Sequence, residues 1–232
     1  MSIAENYKQI ESRVRKAEED SNRALNSVKL MAVSKFHTSE EIEEAIAAGA
    51  TLFGENRVQE AAEKFPELLK KHPEIELHMI GSLQRNKVKQ IVPLASCIQS
   101  VDRIELIEEI EKQCAKINKK MQILLEYHTG EESKSGFTSI EEVTKAMHII
   151  ENCPHILPKG FMTMAPLTDD KAEIANSFKK LVSISEIIRK LFPNYSLNEL
   201  SMGMTNDFET AISCGSTIVR IGTAIFGERK KQ

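Results

Sequence analysis

Lys35, in the stretch LMAVSKFH, closely follows an apolar run. If that run is a strand, the amine stands at its end, partly withdrawn from water. Desolvation disfavours the ammonium, lowers its pKa and leaves a neutral amine able to attack an aldehyde. A solvent-facing lysine is the plain alternative, since lysine is mostly a surface residue. The C-terminal stretch ELSMGMTNDFETAISCGSTIVRIGTAIFGER suggests a second kind of chemistry. It holds two strand-to-helix junctions, SMGMTNDF and IGTAIFG, rich in glycine and small hydroxyl residues. Such junctions bind phosphate through backbone N–H groups and a short helix N-terminus. Ser201, Gly222 and Thr223 are the natural donors there, because glycine admits a close approach and hydroxyls add donors without bulk. Ordinary turns and caps use the same residues. Arg220 interrupts the β-branched run TIVRI and is costly there without a partner. It is expected to face an interior and donate a hydrogen bond, or else to form a structural ion pair with a strand carboxylate such as Glu126.

Other candidates carry weaker signals. Asn56, in FGENRVQEA, follows a tight turn at Gly54 and can cap a helix starting near Arg57, and its amide can also reach a ligand. His78, inside ELHMIGSLQRNK, is either a satisfied core residue or a ring facing a ligand from within a barrel. Gln84, Arg85, Asn86 and Lys87 suit a solvated helix face, and Asp102 in SVDRIEL suits a helix cap. In EYHTGEESKSGF, glycines flank Glu131, Glu132 and Lys134, the composition of a polar mouth loop or of a lid in which Lys134 pairs with a glutamate.

The elements that must position these residues alternate. Tyr7, Ile10, Val14, Ala17, Ala24 and Leu25 recur mostly at three- and four-residue steps, which predicts an amphipathic helix at the start. Short apolar runs follow: VKLMAV, ATLF, ELHMI, CIQSV, QILLEY, GFMTM, ELSM and TIVRI. Helical patterns separate many of them, among these SEEIEEAIAAG, RVQEAAEKFPELLKKH, RIELIEEIEKQCAKI, SIEEVTKAMHII and KAEIANSFKKLVSISEIIRKL. Alternation of this kind implies parallel strands with crossover helices, and eight repeats favour a closed barrel over an open sheet. Residues 1–232 then form one α/β domain, a (β/α)8 TIM-type barrel with an N-terminal helix. Chemistry belongs where its strands end and loops begin.

Composition narrows the function classes. Thirty-one basic residues face 34 acidic ones, a net charge of −3, so nothing attracts a polyanion and no nucleic-acid partner is expected. Cys97, Cys114, Cys153 and Cys214 lie far apart without a CxxC pair, which fits reduced thiols in a cytoplasmic protein. No uncharged apolar run reaches bilayer-spanning length and the first residues lack an apolar signal core, so no membrane partner is expected.

With a lysine after the first strand and a glycine turn of phosphate type after the eighth, the chain resembles the pyridoxal phosphate homeostasis proteins. The blocks that carry the resemblance are AVSK at 32–35, FGENRVQE at 53–60, HMIGSLQRNK at 78–87, SVD at 100–102, GEESKSG at 130–136, GFMTMAP at 160–166, SMGMTNDFETAI and VRIGTAIFG. The resemblance implies a barrel related to the N-terminal domain of alanine racemase, the type III fold of enzymes that use pyridoxal 5′-phosphate (PLP). It also implies PLP held as a Schiff base on Lys35, its phosphate on Ser201, Gly222 and Thr223, Arg220 facing the pyridine nitrogen and Asn56 near the ring. Two positions depart from the family pattern: Tyr127-His128 stands where Val-Asn is common, and Thr205 ends SMGMT where serine is common.

The family resemblance implies a PLP carrier or buffer without robust catalysis, delivering PLP to PLP-dependent apo-enzymes. A PLP-dependent amino-acid racemase-like enzyme with weak activity is the alternative. It needs a second acid/base opposite the lysine, which related racemases take from a further domain of a partner subunit. Only twelve residues follow Arg220, and of the three tyrosines only Tyr127 falls at a strand end. An aldolase-type barrel acting on a phosphorylated sugar through Lys35 is a third reading. No broad apolar stripe is evident outside the barrel, so a monomer is expected.

Overall fold

The computed structural model describes residues 2–130 and 135–228. Helix α1 (Ile3–Asp20) opens the chain with a reciprocal cap, in which Ser2 Oγ accepts from Glu5 N–H and Glu5 accepts from Ser2 N–H. Its buried stripe of Tyr7, Ile10, Val14 and Ala17 follows the predicted periodicity, but the helix ends at Asp20, so Ala24 and Leu25 fall beyond it and are exposed. Glu18 is fully buried on the same helix. Its carboxylate accepts from Arg15 Nη1 at 2.8 Å, Asn26 N–H at 3.0 Å and Val28 N–H at 2.7 Å, fastening the helix to the start of the first strand.

Eight parallel strands follow: β1 (Lys29–Val33), β2 (Leu52–Glu55), β3 (Glu76–Met79), β4 (Cys97–Val101), β5 (Met121–Glu126), β6 (Ile156–Met162), β7 (Glu199–Ser201) and β8 (Ile218–Ile221). They pair in chain order and β8 closes on β1, with Met31 opposite Arg220 and Ala32 opposite Ile221. The expectation of a closed barrel is met. Each predicted run overlaps one strand, with the largest offset at β6, which starts at Ile156 rather than at Gly160. The residues before Gly160 are paired to β5 through Met121, Gln122 and Ile123, so Pro158 lies within the strand next to a register shift. Gly160 has φ +148°, and a Cβ there would meet Glu199 O at 1.9 Å, so only glycine fits between β6 and β7.

Between strands run α2 (Ser39–Ala47), α3 (Val58–Lys71), a 3-10 turn (Arg85–Lys87) leading into α4 (Val88–Ile91), α5 (Ile104–Lys116), α6 (Ile140–Ile150), α7 (Lys171–Leu191), α8 (Phe208–Ser213) and α9 (Thr223–Phe226). Their apolar faces and the outward sides of the strands make one continuous core, including Phe53, Phe65, Phe161 and Phe178. Burying each such aromatic is worth about 1.5–3 kcal/mol. Inside the barrel, Met31, Val33, Leu52 and Ile218 cluster on one side, and Cys97, Leu124 and Met162 on another.

Two capping expectations are corrected. The N-cap of α3 is Arg57 and that of α5 is Arg103, and neither cap receives a side-chain hydrogen bond. Asn56 and Asp102 stand one residue too early to cap. Asp102 instead pairs with Arg103 and accepts from Ser135 Oγ at 2.6 Å. No helix among the described residues is long and apolar enough to cross a membrane.

Candidate functional site at the C-terminal mouth of the barrel

Lys35 lies half-buried in the turn that follows β1, where the strand reading expected it. The turn is closed by His37 N–H donating to Ser34 O at 3.1 Å, and Phe36 at its centre has φ +68°, a left-handed conformation costly for a bulky residue. The strain is held by charge. Lys64, on the buried face of α3, donates to Ser34 O at 3.1 Å, to His37 O at 3.2 Å and to Glu55 Oε1 at 2.6 Å. Ser34 Oγ donates to the same Glu55 oxygen at 2.8 Å, and Phe36 N–H donates to Glu60 Oε2 at 2.7 Å. The Arg57 guanidinium lies 5.2 Å from the centre of the Phe36 ring. Burial pushes the Glu55 carboxyl up from its ordinary value, against the pull of Lys64 and Ser34, and Glu55 Oε2 has no hydrogen-bond partner among the described residues.

Across the mouth, Arg220 points into the barrel as expected, but its partners are neutral. Nη1 donates to Ser201 O at 2.7 Å and to Ser201 Oγ at 2.8 Å, and Nη2 donates to Thr163 O at 2.8 Å. Its geometry thus favours the interior hydrogen-bond reading over an ion pair with Glu126. Burial lowers its pKa to about 10, opposed by Asp207 and Glu126. The Ser201 hydroxyl is engaged on both sides, since it also donates to Gln99 Oε1 at 2.6 Å.

The turns after β7 and β8 lie side by side, with Arg220 N–H donating to Gly203 O at 2.9 Å. Gly203 has φ +97°, and a Cβ there would meet Ala211 Cβ at 2.6 Å, so the loop after β7 needs glycine. Asp207 Oδ1 ties the loop by accepting from Met204 N–H at 2.5 Å, and burial pushes the Asp207 carboxyl up. The N–H groups of Thr205 and Asn206 on one turn, and of Thr223 and Ala224 on the other, donate to nothing among the described residues. Gly222 precedes α9 and packs on β1, where a Cβ would come within 3.4 Å of Val33 O. The two sides of the mouth meet at the His37 and Phe226 rings, stacked with centroids 4.7 Å apart.

The family described as "Alanine racemase, N-terminal domain" matches residues 2–230. A protein of Haemophilus influenzae named "Pyridoxal phosphate homeostasis protein" is 40% identical over 230 residues, covering 99% of this chain and 97% of that one. The chain belongs to the pyridoxal phosphate homeostasis protein family. A protein of the same name from Aquifex aeolicus is 37% identical over 230 residues, with 99% and 100% covered. Among solved structures, PipY of Synechococcus elongatus with PLP bound superposes with a TM-score of 0.85 at 31% identity, covering 97% of this chain and all of that one. An alanine racemase from E. faecalis shares the fold, with a TM-score of 0.71 at 20% identity, over 57% of its own chain.

For a member of this family the mouth suits a phosphorylated aldehyde. Unspent backbone donors on two adjacent turns match a phosphate dianion, and the lysine turn packs against the second of them. Of the residues singled out in the sequence, Lys35, Gly222, Thr223 and Arg220 all belong to this end of the barrel, at or just beyond the ends of β1 and β8. Asn56 follows β2, its backbone pressed by Gly81, where a Cβ would lie 2.2 Å from Asn56 O. Beyond β5, the Tyr127 hydroxyl donates to Thr138 O at 2.9 Å, burial raises its pKa, and His128 Nδ1 is buried without a partner among the described residues. Glu131, Glu132 and Lys134 lie outside the described residues. The sequence reading missed Lys64, although it falls on the apolar face of α3 with Val58, Ala61 and Leu68, an expensive place for an unpaired charge. It also missed Gln99 and Thr163, whose types are common and whose inward or backbone roles leave no mark in composition.

Proposed function

We propose that this chain binds PLP at the C-terminal mouth, with Lys35 holding it as a Schiff base, and serves PLP homeostasis by buffering the aldehyde and delivering it to PLP-dependent apo-enzymes. The observation that carries this is the stacking of His37 on Phe226 at 4.7 Å, which seats the lysine turn against the turn with free N–H groups. In this reading Thr223 and Gly222, with the N–H groups of Thr205, Asn206 and Ala224, hold the phosphate. Ser201 serves by fixing Arg220, its hydroxyl being occupied, and Asn56 stands on the ring side. Bound there, PLP supplies an electrophilic carbon and a ring that acts as an electron sink. Arg220, a cation that keeps its proton, disfavours protonation of the ring nitrogen it faces and so weakens that sink.

The same geometry argues against racemisation as the main role. The Tyr127 hydroxyl is committed to Thr138 O. Tyr7 lines the opposite end of the barrel, with its pKa pushed up to about 12 by burial, and Tyr195 precedes β7 on that end. No tyrosine among the described residues offers a free hydroxyl beside Lys35 as the second acid/base. The test is to load the protein with PLP, remove free cofactor, add an apo-form PLP enzyme and follow the recovery of its activity, with L-alanine racemisation assayed in parallel. Recovery without racemisation above the level of Lys35→Ala is expected. Failure of the apo-enzyme to recover, or Lys35-dependent racemisation at ordinary enzymatic rates, overturns the carrier reading.

A further inference from the structure

At the N-terminal end of the barrel, opposite Lys35, a cavity of about 370 Å³ opens where the strands begin. Its charged wall includes Lys29, Lys159, Glu76 and Glu199. Lys29 and Glu199 neutralise each other in an ion pair of 2.6 Å. Lys159 has no hydrogen-bond or ion partner among the described residues. Among the described residues the Glu76 carboxylate makes only long contacts, 3.5 Å to His78 Nε2 and 3.5 Å from Ser96 Oγ. Glu11 and Arg15 also line the space, but Glu11 is paired with Lys8 at 2.9 Å and Arg15 with Glu18 at 2.8 Å. Lys159 and Glu76 are thus the charges of the wall without a close partner among the described residues, and the Cys97 thiol feels both.

The chemistry of His78 in that wall is dictated from the far end of the barrel. Arg220 can only donate. Its Nη1 occupies Ser201 Oγ at 2.8 Å, so the Ser201 proton goes to Gln99 Oε1 at 2.6 Å. Gln99 must then present its amide N–H to His78 Nδ1 at 2.8 Å, and that nitrogen accepts. The neutral ring therefore carries its proton on Nε2, on the side of Glu76, and 3.5 Å is too long for that contact to be a strong hydrogen bond. His78 is buried to 6% exposure, so its Nε2–H is an underused donor at the cavity wall.

We propose that this cavity is a second small-molecule site, one that takes a free α-amino acid with a small aliphatic side chain. The carboxylate accepts from His78 Nε2–H and from the Lys159 ammonium, the α-ammonium sits against Glu76, and Leu52, Leu124 and Ile218 of the same cavity receive the side chain. Binding involves no covalent step and does not depend on the PLP reading of the other mouth.

The experiment is calorimetric titration of the full-length protein with L-valine, alongside isovalerate and isobutylamine, each of which lacks one of the two charges. It is repeated in Lys35→Ala, where no amino acid can exchange onto a lysine-bound aldehyde, and ring ¹⁵N spectra of His78 are recorded throughout. Saturable L-valine binding is expected in both proteins, with a shift of the His78 signals and an Nδ1 that carries no proton. Loss of one charge, in the ligand or by Lys159→Gln or Glu76→Gln at these solvent-accessible positions, is expected to weaken binding about tenfold or more. Absence of saturable binding, binding unchanged in both variants, binding that disappears in Lys35→Ala, or a His78 ring protonated at Nδ1 overturns the proposal.

Discussion

On the β1–β2 side of the mouth, the turn carrying Lys35 is fixed by charged side chains reaching in from β2 and α3: Lys64, Glu55 and Glu60 hold Ser34, Phe36 and His37. On the β7–β8 side, the turns are fixed by Gly203 in a left-handed conformation, by Asp207 accepting from Met204 N–H and by the Arg220 guanidinium donating between strand ends, while the N–H groups of Thr205, Asn206, Thr223 and Ala224 donate to nothing among the described residues. Under the proposed function the contrast has a physical reason. An amine that must meet an aldehyde at a set place needs its backbone immobilised. A phosphate needs several converging donors, which backbone N–H groups on two adjacent turns can supply. The first side therefore pairs buried charges with one another, while the second sets Arg220 and Asp207 against backbone and hydroxyl groups and needs glycine at 203.

The largest effect expected is that of Lys64→Met, which leaves the buried Glu55 carboxyl without its cation and Ser34 O and His37 O without their donor, and costs about 3–5 kcal/mol. Urea unfolding measures it, and adding Glu55→Gln should recover part of the loss. A near-neutral Lys64→Met breaks the idea that charge holds the lysine side. Next, Gly203→Ala meets both a left-handed φ and a Cβ contact of 2.6 Å, and should cost about 2–3 kcal/mol. It sharpens the comparison if phosphate affinity falls while the reactivity of Lys35 toward a phosphate-free aldehyde is kept.

A pH effect comes third. Burial lowers the His78 pKa below 6.5, so the unfolded chain takes up the proton first, and stability present above pH 6.5 is lost as pH falls from that value toward the folded one. His78→Gln should flatten that part of the stability profile. Glu55 and Asp207 work with the opposite sign, since their raised folded pKa values make stability fall as pH rises above 4.5 and 3.8 respectively. The smallest effect is that of Thr223→Ala. If backbone rather than hydroxyl carries the phosphate, retention of PLP by dialysis should weaken by no more than about 1 kcal/mol.

The barrel was legible because each strand contains or adjoins a short apolar run, and the longer helices between strands keep an acidic residue in the first turn and an apolar stripe. Lys35 and Arg220 were legible for the related reason that a charge beside or inside such a run demands a purpose. Ser201 shows where that legibility ends. It was singled out as a small hydroxyl in a glycine-rich junction, yet the closed barrel turns its hydroxyl inward to Gln99. Parity along a three-residue strand is set by its neighbours and not by its own composition. Short α8 and α9 carry too few residues to show a period, and Asn56 and Asp102 missed their caps by one position, the usual margin at a helix end.

The central claim is that Lys35 is the residue that holds PLP. Its direct test is to add PLP to the purified protein and to Lys35→Ala, record the visible spectrum, reduce with borohydride and locate the adduct by mass spectrometry. A lysine-dependent imine band, with the reduced pyridoxyl group on Lys35 and none in the variant, is the predicted result. An adduct on another lysine, or no imine in either protein, contradicts the account.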